Sequence, residues 1–121
     1  MARTRITATG LPEKYPSLPI TADAADITWT AADTTNQNDF VSSGDDLIIV
    51  DNQNAGAQTV TINSTADPRN KRTGDITTYS IGIGEFAVFR VGGDGWDQPG
   101  NIIHLEAAAV DVYFAVIPMP K

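Results

Sequence analysis

His104 is the one histidine in 121 residues, and cysteine is absent. Those two counts remove much of the chemistry that side chains perform. Without cysteine there is no disulfide, thiolate nucleophile or thiolate metal site. A single histidine builds no His-rich metal centre, and no Ser-His-Asp order surrounds it. It stands in Ile102-Ile103-His104-Leu105-Glu106, where alternation sets it on the face opposite Ile103 and Leu105. That is a surface or interface position on a strand.

Carboxylates come next, because pairs of them hydrolyse glycosides. Asp45-Asp46, Asp51, and Asp94 with Asp97 qualify by residue type. All fall in turn-like stretches, where aspartate bonds its own backbone. Gly93-Asp94-Gly95-Trp96-Asp97 is too short for an EF-hand loop. Gly82-Ile83-Gly84 and Gly92-Gly93-Asp94-Gly95 lack the following helix and the Gly-Lys-Ser/Thr ending of a phosphate loop. Trp96, in the glycine-rich loop, either stacks on a sugar ring or packs over the open end of the body, and the second reading is preferred. The expectation is a protein that is not an enzyme, with no catalytic residue, cofactor or metal.

The elements that would position any site are short and β-like. Leu47 to Val50 is a continuous apolar run, expected to be a strand buried on both sides. Gln58 to Asn63 alternates, with Val60 and Ile62 inward. Asp51 to Ala57 between them fits an antiparallel return with a glycine in a left-handed position. Tyr79 and Ile81 share a face, as do Phe86 and Val88, with a tight turn at Gly84-Glu85. Ile102 to Leu105 and Val110 to Ile117 follow, and Pro118 and Pro120 stop the last strand. Earlier, Asp26 to Thr30 suits a strand with Ile27 and Trp29 inward, Thr21 to Ala25 suits a helical turn, and Phe40-Val41 opens an element. Seven or eight strands without long helices between them predict an all-β fold: a single antiparallel β-sandwich or jelly-roll-like domain.

Residues 1–20 form an extended, proline-containing N-terminal arm, and residues 21–121 the sandwich. Pro12, Pro16 and Pro19 exclude helix in the arm. Leu11, Tyr15, Leu18 and Ile20 make it more apolar than a free tail. It is expected to dock on its own body or on a neighbouring subunit.

The formal charge is −7. An acidic domain disfavours nucleic acid, whose phosphates require clustered cations. No stretch approaches the ~20 apolar residues that span a bilayer, and no apolar run follows the basic start to make a secretory signal. Arg3, Arg5 and Lys14 in the arm and Arg69, Lys71 and Arg72 in one loop stand apart as two basic handles on an acidic body. Ordinary surface charge is the alternative account. Together with the apolar arm residues and Trp96, these cations are the candidate protein-contact residues.

One resemblance covers residues 41–121. The stretch Asn54-Ala55-Gly56-Ala57-Gln58-Thr59-Val60-Thr61-Ile62, then Gly74-Asp75-Ile76, Ile83-Gly84-Glu85-Phe86, Gly100-Asn101-Ile102 and the close Val112-Tyr113-Phe114-Ala115-Val116-Ile117-Pro118-Met119-Pro120 resembles the decoration (cement) proteins of tailed bacteriophage heads. It is a likeness of layout, without an invariant chemical motif. It implies a structural virion protein, made in the host cytoplasm and bound to the capsid exterior. Its partners would be the major capsid protein and copies of itself, as a homo-oligomer with a trimer as one option, without nucleic acid or membrane. A carbohydrate-binding sandwich module and a head–tail or tail structural component are the alternatives.

Overall fold

The computed structural model describes residues 3–10, 18–19, 25–63, 76–92, 96, 98 and 100–119. Within them lie nine strands and no helix: β1 Thr4–Arg5, β2 Thr30–Ala31, β3 Asn38–Val41, β4 Asp46–Asn52, β5 Gln58–Ile62, β6 Ile76–Ile81, β7 Phe86–Val91, β8 Ile102–Ala107 and β9 Val112–Pro118. They form a five-stranded sheet, β1-β3-β8-β5-β6, and a four-stranded sheet, β2-β9-β4-β7. The two pack face to face as a β-sandwich, with Phe40, Val60, Ile62, Ile103 and Leu105 from one meeting Ile48, Val50, Val112, Phe114 and Val116 from the other. Every pairing is antiparallel except β1 with β3. No helix among the described residues is long and apolar enough to cross a membrane.

Period-two alternation drives this arrangement, since successive side chains on a strand point to opposite faces. In β5, Val60 and Ile62 are buried and Thr59 and Thr61 half-buried, as expected from the alternation. In β8, Ile103, Leu105 and Ala107 face the core and His104 faces away. Tyr79 shares the inner face with Ile81, but β6 is an edge strand, so Tyr79 sits at the rim. There its ring meets Phe89 of the opposite sheet edge-on at 5.3 Å and closes that side of the sandwich.

The other side is closed by the N-terminal segment. The Thr4 N–H donates to the Gln37 carbonyl at 2.9 Å and the Ile6 N–H to the Asp39 carbonyl at 2.8 Å, both on the five-stranded side. Three residues later the Thr9 N–H donates to the Val116 carbonyl of β9 at 2.7 Å. The chain thus crosses from one sheet to the other and leaves Ile6 in the core, 2% exposed. Residues 3–10 therefore belong to the sandwich, so the beginning of the expected arm docks on its own body. Leu18 is exposed; residues 11–17 and 20 lie outside the described residues.

Four other expectations change. Asp51 to Ala57 is not a hairpin return, because β4 and β5 lie in different sheets, and Gly56 is not left-handed. The crossing is organised instead by Asn52, whose side-chain amide reaches the carbonyls of Gly56, Ile81 and Gly82 at 3.1, 2.9 and 3.2 Å. The strand expected at Asp26 to Thr30 shrinks to Thr30–Ala31, and Ile27 is exposed, since only this short stretch pairs with β9. Leu47 and Ile49 are half-buried, so β4 is fully covered on the core side alone. Val110 is an exposed turn residue, and β9 begins at Val112. The helical turn expected at Thr21 to Ala25 falls largely outside the described residues.

Candidate interaction surface

The two outer faces of the sandwich differ in chemistry, and sequence parity is the cause. β4 and β9 are apolar at both odd and even positions, so burying one parity in the core leaves the other on the outer face. The outer face of the four-stranded sheet consequently carries Leu47 and Ile49 from β4, Tyr113, Ala115 and Ile117 from β9, and Phe86 and Val88 from β7. Register sets Ile49 between Val88 and Ala115 and Leu47 beside Ile117. Ala115 and Ile117 are covered, at 0% and 8% exposure, whereas Phe86 and Val88 are 61% and 59% exposed. Trp29, from the segment entering β2, meets Phe86 edge-on at 6.1 Å. This face is a partly covered apolar floor whose β7 side is open.

The outer face of the five-stranded sheet is mostly polar and its charges are paired, with an apolar end where exposed Val41 lies beside Ile102. Arg5, Asp39 and His104 stand side by side across β1, β3 and β8. Arg5 Nε lies 2.6 Å from Asp39 Oδ1. Arg3 lies 3.5 Å from Glu106 and also donates to the carbonyls of Asn38 and Leu105. Asn63 Nδ2 donates to Glu106 at 3.0 Å. Partial burial, with Arg3 nearby, holds the His104 imidazole below its ordinary value, against the opposing pull of Asp39 and Glu106.

These contacts change the reading of several candidate residues. Arg3 and Arg5 are engaged within the fold, because parallel pairing of β1 with β3 brings them beside acids of their own sheet. Trp96 is 9% exposed and part of the hydrophobic core, so it is no platform for a sugar ring, and the carbohydrate-binding alternative loses its anchor. Leu18 is exposed. Leu11, Lys14, Tyr15, Ile20, Arg69, Lys71 and Arg72 lie outside the described residues.

The carboxylate candidates serve local structure. Asp46 accepts from the Ser43 N–H and hydroxyl at 3.0 and 2.6 Å and so fixes the turn into β4. Asp45 accepts from Arg90 Nε and Nη2, at 2.8 and 2.6 Å. Asp51 accepts from Gln53 at 2.7 Å. Among the described residues, no group of three or more His, Asp or Glu side chains could hold a metal ion; Asp94 and Asp97 lie outside them.

Phe86 and Val88 are surface residues that pattern reading did not single out as candidates, and Trp29, expected to face inward, meets Phe86 on the outer face instead. The available signal was Phe86-Ala87-Val88-Phe89, a run apolar at both parities, like β4 and β9. Comparison with family models, with curated proteins and with solved structures returned no match to this chain.

Proposed function

We propose that this protein is a capsid decoration protein of a tailed bacteriophage. In this reading it is a sandwich of jelly-roll type, without catalytic duty, that binds the outer lattice of the major capsid protein and stabilises the head. The observation that carries the reading is the apolar outer face of the four-stranded sheet, with Phe86 and Val88 turned outward. Contiguous apolar surface outside a core marks a protein–protein contact. The opposite face carries paired charges over most of its area, with Val41 exposed at one end. The likeness of residues 41–121 to decoration proteins supports the same conclusion, and the apolar residues after Gly10 are further candidates for reaching neighbouring subunits. Weak contacts of this kind act together on a repeating lattice through effective concentration.

Particle composition tests the proposal. Purified heads should carry the protein at a copy number on the scale of the capsid lattice, and heads lacking it should burst at lower temperature or milder osmotic shock. Phe86→Ser should weaken attachment by about tenfold or more, the scale for truncating a large apolar anchor. A copy number matching a tail ring would move the same body to the head–tail or tail position. Heads of equal robustness without the protein would reject the cement role.

A further inference from the structure

Four strands stand at sheet edges: β1 and β6 in one sheet, β2 and β7 in the other. An edge strand presents unpaired backbone groups, and folds blunt that hazard by shortness, bulges, lysine or proline. β1 and β2 are each two residues long. β6 meets β5 through a register shift between Val60 and Ile62 and holds Thr78 at φ 48°. β7 is neither short nor bulged, and its one charged side chain, Arg90, is paired with Asp45. It keeps register with β4 over six pairs, from Phe86 opposite Asp51 to Val91 opposite Asp46. It contains no proline, glycine or lysine, and among the described residues no strand pairs with its second side.

We propose that β7 pairs with β7 of a second copy of this chain, antiparallel about a two-fold axis, joining two four-stranded sheets into one. An axis normal to the sheet keeps the same face of both copies upward, so opposed residues share parity. With Val88 on the axis, each Val88 lies beside its counterpart, and each Phe86 lies opposite Arg90 of the second copy. Charge favours this join. The chain carries a net charge of −7 and repels its own kind, yet β7 contains no carboxylate. Its one cation, Arg90, is neutralised by Asp45 and would stack on an aromatic ring instead of meeting a like charge. The pairing supplies backbone hydrogen bonds along the edge, and it merges the two apolar outer faces around Phe86 and Val88. Isologous contacts of this type close at the dimer.

The inference does not rest on the capsid reading, and solution measurements separate the two. Sedimentation equilibrium of the full chain should show a concentration-dependent dimer. Val88→Lys should raise the dimer dissociation constant at least ~10-fold by placing two ammonium groups on the axis, with an unchanged melting temperature at concentrations low enough that both chains are monomeric, since the Val88 side chain lies outside the core. The chain has no cysteine, so Val88→Cys provides a direct probe. Opposed strand positions lie within disulfide reach, and this variant should cross-link under mild oxidant while Ala57→Cys, exposed in a loop, does not. A wild-type chain that stays monomeric, a dimer indifferent to Val88→Lys, or equal cross-linking of both cysteine variants would overturn the proposal. A monomer whose Val88→Cys variant cross-links only to a capsid subunit would overturn it too, and would give the edge to a different chain.

Discussion

Asn52, on the four-stranded sheet, donates its side-chain amide to the carbonyl of Ile81, on the five-stranded sheet, at 2.9 Å. Asn52 is 0% and Ile81 3% exposed, so this bond joins the two sheets through the interior. The same amide serves Gly56 and Gly82, and its oxygen accepts from the Asn54 N–H at 2.9 Å. One side chain therefore satisfies backbone groups that the chain exposes as it crosses between layers. Asn52→Ala should cost about 2–3 kcal/mol, the scale for leaving buried partners unsatisfied. Denaturant unfolding of the two proteins measures it directly.

Ile6 carries the second prediction. It fills the gap between the sheets where the N-terminal segment crosses, so Ile6→Ala should destabilise by about 2–4 kcal/mol. The exposed neighbour Thr7 should tolerate alanine within ~0.5 kcal/mol. Removal of residues 1–10 should lower the melting temperature, because it takes away β1 and Ile6 together. A truncated body that melts like the full chain would mean that the segment merely leans on the sandwich.

Gly92 is set by close approach as well as by conformation. Its φ is +148°, and a Cβ there would lie 2.6 Å from the backbone carbon and oxygen of Gly44. Backbone cannot swing aside as a side chain does, so Gly92→Ala should cost at least ~2 kcal/mol. Gly10→Ala, with nothing within 4 Å, is the matched control. Thermal melts of the pair compare them under identical conditions.

Two of the described groups shape the pH dependence. The folded state holds His104 below the ordinary imidazole value of 6.5, so as pH falls through 6.5 the unfolded chain takes up the proton first. Stability should therefore decline from that point until the folded-state imidazole is itself protonated, and be insensitive to this group at higher pH. Asp33 acts in a more acidic window. The Thr4 hydroxyl and the Asn36 and Thr35 N–H groups hold its carboxyl below the ordinary value of 3.8. That contribution is present above 3.8 and is lost as pH falls through the folded-state value. His104→Gln should remove the upper part of the decline and leave the acidic part, as read from urea midpoints across pH.

The strands were legible wherever one parity was apolar and the other polar. Gln58 to Ile62 and Ile102 to Ala107 show that pattern, and their inward residues follow from it directly. Where both parities were apolar, as in Leu47 to Val50 and Phe86 to Phe89, alternation could not say how far the second face would be covered. The candidate surface falls on those runs, which is why Phe86 and Val88 escaped notice while Trp96, in a conspicuous glycine-rich stretch, attracted it.

Sequence alone determined the all-β character, the absence of thiol chemistry and the inward residues of the alternating strands, because these depend on residue type and on spacing along one strand. Tertiary structure decided which strands share a sheet, that Asp51 to Ala57 crosses between layers, that Arg3 and Arg5 find acids beside them, and that β7 is a sheet edge among the described residues. Those outcomes depend on which distant segments become neighbours. That choice is made by the joint burial of both sheets, and no local pattern encodes it.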